Sequence, residues 1–165
     1  MSPQSQLRTY SEGSSLPAVY PDNMDAEEFR IACVEYSEWV QTQYEAFEPL
    51  DFELIGFKVV HDFETKAADI WYDKHPDGVD VMLIQVAFDM YNEFGWGDEV
   101  RATLKHELLH AVEIIVTGDT SHDDEFESLC EAVGADMCCE PFGEHTYEVY
   151  CCGCDELVAR KFEAC

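Results

Sequence analysis

The pentad His106-Glu107-Leu108-Leu109-His110 constrains this chain most, because it sits inside a helix that is apolar on most sides. Asp98 can cap a helix running from Glu99 to Val116, with Gly118 as its stop. Within it Val100, Leu104, Leu108, Ala111 and Ile115 form one apolar stripe, and Leu109, Val112 and Ile114 fill the flanks. A helix apolar on most sides is a buried helix. His106 and His110 lie largely opposite the stripe, and two imidazoles taken into a core need partners. Residues four apart share a helix face, so both rings can reach one metal ion. His-Glu-x-x-His is the zinc-hydrolase spacing, in which the glutamate can accept a proton from water at the metal. A bare pentad also arises by chance on ordinary helices, so the surrounding residues have to decide.

The rest of the chain reads as an α+β fold, a small mixed or antiparallel sheet packed on helices. Asp25 followed by Glu28 marks a helix start, and Phe29, Ala32, Tyr36 and Val40 recur at helical spacing up to about Tyr44. Leu54 to Val60, Ala68 to Tyr72 and Val79 to Ile84 read as strands. His75-Pro76-Asp77-Gly78 is turn chemistry that makes the last two a hairpin. Val86 to Phe94 reads as a short helix, broken by Gly95-Trp96-Gly97. Ser121 and Asp124 resemble a capping box that opens a helix ending at Val133 and Gly134, burying Phe126, Leu129, Cys130 and Val133. Thr146 to Cys151 alternates like a strand. His61 and His75 fit a strand end and a turn, Cys33 and Cys130 fit core thiols, and Trp39, Trp71 and Trp96 fit core or groove positions.

Charge bears on compartment and partners. The chain carries 36 acidic and 9 basic residues, a formal net charge of −27. Such self-repulsion strains a small fold at ordinary ionic strength, but in molar salt the Debye length falls to about 3 Å. The expectation is a cytoplasmic protein of a halophilic archaeon or its virus; the rival is an acidic decoy that binds basic proteins. So few cations predict weak or no direct nucleic-acid binding, with Arg101, Lys105 and Arg160-Lys161 as the local basic features. Met1 to Asn23 lacks an apolar h-region and reads as a flexible leader, and no stretch is apolar enough to predict membrane association. In an intracellular setting, eight cysteines point to metal ligands or buried thiols before disulfides.

A catalytic zinc needs a third protein ligand. His122, at the start of the next helix, can fold back over the first; a carboxylate of Glu127 or Glu131 is the competing choice. With Thr103-Leu104-Lys105-His106-Glu107-Leu108-Leu109-His110-Ala111, then Ser121-His122-Asp123-Asp124-Glu125-Phe126, the chain resembles the SprT-like zinc metallopeptidases, which include the Spartan DNA–protein crosslink proteases. The resemblance covers roughly Val79 to Cys154. It implies zinc on His106, His110 and His122, Glu107 as the general base, and protein substrates that are DNA-bound. It departs from the family where Ser121 and Asp123 replace glycines around the third histidine. It also implies a C-terminal ribbon, here degenerate: Cys151, Cys154 and Cys165 would hold a second, structural zinc with a fourth ligand from Cys138, Cys139, Cys152 or His145, or else remain free thiols. The expected organisation is thus a leader over 1–23, a metallopeptidase domain over 24–137 and a Cys-rich, zinc-ribbon-like tail over 138–165. A non-catalytic zinc-binding adaptor in DNA repair or transcription is the alternative to a protease.

Overall fold

The computed structural model describes residues 20, 23–61, 63, 66–75, 78–135, 137, 147–150 and 157–161. The first helix, α1 (Ala26–Gln43), begins at a complete capping box: Asp25 accepts from the Glu28 amide, and the Glu28 carboxylate accepts from the Asp25 amide, both at 2.8 Å. These bonds satisfy amides that have no partner within the helix. The apolar positions that recur along it, Phe29, Ala32, Cys33, Tyr36 and Val40, are all buried. A single 3-10 turn, Glu45–Phe47, follows. The Gln41 amide braces the chain after it by donating to Phe47 O at 3.2 Å and Leu50 O at 2.7 Å.

Three strands make the main sheet, β1 (Ile55–Val60), β2 (Ala68–His75) and β3 (Gly78–Ala87). Their order is β1-β3-β2, with β3 parallel to β1 and antiparallel to β2, so the sheet is mixed. The expected hairpin is β2–β3, with His75 paired to Gly78. Strand alternation sends Met82, Ile84 and Val86 into the core and leaves Val81 exposed. Trp71 lies outside the core, 56% exposed, and pairs across the ladder with Leu83. Trp39 and Trp96 pack against the core as expected.

β3 runs further than its sequence pattern indicated. Val86 and Ala87 finish the strand instead of opening a helix, because Val86 pairs with both Ala68 and Val59 and the Ala87 amide donates to Ala67 O at 2.7 Å. Helix α2 is therefore Phe88–Phe94. Helix α3 (Asp98–Thr117) starts one residue before the expected Glu99. Gly97, not Asp98, is its N-cap; Asp98 sits in the first turn and pairs with Arg101 at 2.6 Å. Val100, Leu104, Leu108 and Ala111 of the apolar stripe are buried, but at its C-terminal end Ile114 is buried in place of Ile115. Gly118, at φ 81°, closes the helix in the left-handed region that glycine adopts without strain.

Helix α4 (Asp124–Val133) is capped by Asp123, which accepts from the Phe126 amide at 2.9 Å, so the Ser121–Asp124 capping box is not formed. β4 (Tyr147–Tyr150) pairs antiparallel with β5 (Leu157–Lys161), a strand that the charged Arg160-Lys161 end hid in the sequence. Apart from Tyr20 and Asn23 the leader lies outside the described residues. So do Cys138, Cys139, His145, Cys151, Cys152, Cys154 and Cys165, and with them the ribbon zinc. Among the described residues, no helix is long and apolar enough to cross a membrane.

Candidate metal centre

The site is built at the corner where α3 turns back into α4. His106 and His110 stand one turn apart on α3, and both are fully buried at 1% and 0% exposure. Gly118 ends α3, and the loop after it is held on both sides. Thr117 Oγ1 donates to Asp119 O at 3.2 Å, and the Tyr72 hydroxyl on β2 donates to Asp119 Oδ1 at 3.1 Å. Asp123 then fixes the entry to α4, which leaves His122 beside the first two histidines. Asp123 and Ser121 therefore both have work in this loop: Asp123 caps α4, and Ser121 bonds to Glu113 on α3.

The three Nε2 atoms converge. His106 and His110 are 3.0 Å apart, His110 and His122 3.1 Å, and His122 and His106 3.4 Å. Ligands at about 2.0–2.1 Å in tetrahedral directions lie about 3.3–3.4 Å from one another. The triangle of nitrogens therefore matches one face of a tetrahedron around a small cation, slightly contracted. The tautomer of His110 agrees. Its Nδ1 lies 2.8 Å from the Glu113 carboxylate, an oxygen that can only accept, so Nδ1 is the donor there and, in the neutral ring, Nε2 presents a bare lone pair to the centre. Neutral imidazole nitrogens aimed at one point are the donor set that zinc and other borderline divalent ions take.

Phe126 forms the floor. Its ring stacks on His110 at 4.4 Å and 8°, and meets His106 and His122 edge-on at 5.2 and 5.1 Å. It is 1% exposed, so it excludes water from below and locks the three rings. The sequence placed Phe126 in the core through its helical spacing, and the structure adds this contact with the three histidines. Glu107, between the two histidines in sequence, is 0% exposed on the same helix. Glu127 and Glu131, the competing third ligands, are exposed on α4 and outside the cluster.

Glu113 was not singled out by the sequence. Besides His110, it accepts from Ser121 Oγ at 2.6 Å and from the Ser121 amide at 3.3 Å. Burial pushes its carboxyl pKa up, but the His110 and Ser121 hydrogen bonds outweigh that and hold it below the ordinary carboxylate value. Its one sequence signal is the i, i+3 step from His110, which puts it on the ligand's side of the helix. The basic features of α3 are already engaged elsewhere. Arg101 pairs with Asp98, and Lys105 Nζ donates to Val133 O at 2.7 Å, at the carbonyl end of α4. Cys33 and Cys130 are buried, as expected. Burial pushes the Cys33 thiol pKa up.

Compared with protein-family models, with curated proteins and with solved structures, the chain finds no match.

Proposed function

We propose that this protein is a zinc-dependent metalloprotease of the SprT-like kind, with His106, His110 and His122 as the metal ligands and Glu107 as the general base. The observation that carries the reading is the convergence of three Nε2 atoms within 3.0–3.4 Å on a buried helix–loop–helix corner. Three imidazoles with one open side are the ligand arrangement of catalytic rather than structural zinc. A divalent ion there would supply Lewis acidity, polarising a scissile carbonyl and making water a nucleophile near neutral pH.

The protein's own residues supply the rest. Glu107 takes the proton from the attacking water and delivers it to the departing amine. It lies next to His106 in the chain and is fully buried on the same helix. Phe126 keeps the ligand rings in one orientation and shields their lower side. Protein chains, including those bound to DNA, are the substrates. With 9 basic against 36 acidic residues, and with Arg101 and Lys105 engaged in internal bonds, contact with the nucleic acid itself is weak.

Glu107→Gln tests the assignment. The variant should bind one zinc per chain like the parent while cleavage of an unfolded protein falls by about 10²–10⁴-fold. Undiminished cleavage by this variant would remove Glu107 as the base. A parent chain that binds zinc at the histidines yet cleaves neither unfolded nor DNA-bound protein would favour the adaptor reading over the protease.

A further inference from the structure

Glu113 is a buried-side carboxylate with three donors converging on it from two different segments. One is the Nδ1–H of His110, on its own helix. The other two are the hydroxyl and the amide of Ser121, the residue immediately before His122. Both oxygens are used: Oε1 takes the ring proton and the backbone amide, and Oε2 takes the hydroxyl. A metal-bound histidine is commonly held by such an outer carboxylate, which fixes its tautomer and raises its basicity. Here the same carboxylate also grips the loop that delivers the third ligand.

We infer that Glu113 is a positioning residue that couples the metal site's two halves, setting the His110 lone pair inward and clamping the Ser121–His122 segment against α3. The inference rests on the metal reading above. Without Glu113, the loop from Gly118 to Asp123 keeps its own internal bonds but loses two anchors to α3, so His122 no longer sits at a fixed distance from the other nitrogens. Ser121 has a defined part: a glycine there would leave the amide bond and lose the 2.6 Å hydroxyl bond. Glutamine at 113 is a near-mimic in shape. Its oxygen can accept from His110 and the Ser121 amide, and its NH₂ can donate to Ser121 Oγ, which then turns from donor to acceptor.

The test is zinc affinity of the full chain, measured by competition with a colorimetric chelator, together with the visible spectrum of the Co²⁺-substituted protein. Glu113→Ala should weaken zinc about 10–100-fold and alter the cobalt bands, whereas Glu113→Gln should lose much less. Because Glu113 acts in part through His122, the loss in Glu113→Ala/His122→Ala should be smaller than the product of the two single losses. If Glu113→Ala does not fold, Ser121→Ala removes one arm alone and should still weaken zinc in the parent but not in a His122→Ala background. Parent-like affinity in Glu113→Ala, or losses that multiply independently, would overturn the coupling while leaving the metal site standing. A parent that binds no zinc at the histidines would sink the metal reading and this inference with it.

Discussion

Helices α1 and α3 are similar in length, 18 and 20 residues, and both are built into the core, yet they bury different chemistry. The buried face of α1 is largely Phe29, Ala32, Cys33, Val34, Tyr36 and Val40. Its buried polar residues are Ser37, which donates to Cys33 O at 2.7 Å within the helix itself, and Glu38. The buried set of α3 includes His106, Glu107 and His110 within two turns. Besides the bonds of His110 to His106 and Glu113 within α3, the two histidines meet His122 from beyond the helix end, and Glu113 also holds Ser121. A polar group satisfied by its own turn is what a structural helix tolerates. Titratable groups that converge with a distant residue are costly to bury, and such a cluster could hold a metal ion.

The contrast can be broken most sharply at Phe29, which is 0% exposed and stacks on Tyr91 at 4.7 Å. Phe29→Ala should cost about 3–5 kcal/mol in denaturant unfolding and leave zinc per folded chain unchanged. Zinc loss in the folded variant, matching that of His110→Ala, would show that the two helices are not separable. Next in size is the metal itself. Zinc at a hundred times its dissociation constant should stabilise the chain by about 2.7 kcal/mol, and a chelator should remove that gain. Acid should remove it too, since the ligand nitrogens bind metal only when deprotonated. Glu113 adds to the same side of the curve. Its folded pKa is lowered, so its contribution is present above the unfolded value and disappears as pH falls through the folded one. A Tm that ignores both zinc and chelator at neutral pH would count against a metal at this corner. The smallest effect belongs to α1's start. Asp25→Ala should cost about 1 kcal/mol in thermal or denaturant unfolding, by opening the capping box, with zinc affinity untouched. No comparable change is available on α3, whose N-cap is Gly97 with no side-chain bond.

Much of this architecture was readable from local pattern. The α1 capping box, the β2–β3 hairpin, Gly118 and Gly134 as helix stops and the buried α3 all follow from short-range rules of spacing, capping and turn chemistry. Errors fell where a partner decides. Val86 and Ala87 are apolar enough for either state, and pairing with β1 and with the β2 end made them strand. Ser121 looked like a cap because it stands three residues before Asp124, at capping-box spacing. Asp123 holds the α4 amide instead, which leaves the serine hydroxyl for Glu113.

The sequence by itself determined that His106 and His110 share a face on a buried helix, because the 3.6-residue repeat puts residues four apart together whatever surrounds them. It also ranked His122 ahead of Glu127 and Glu131 as the third member. Only the tertiary structure decided how that member arrives. A loop's path depends on bonds made to residues far away in the chain, here Glu113 to Ser121 and Tyr72 to Asp119. No periodicity encodes those bonds, and the distances between the three nitrogens follow from them.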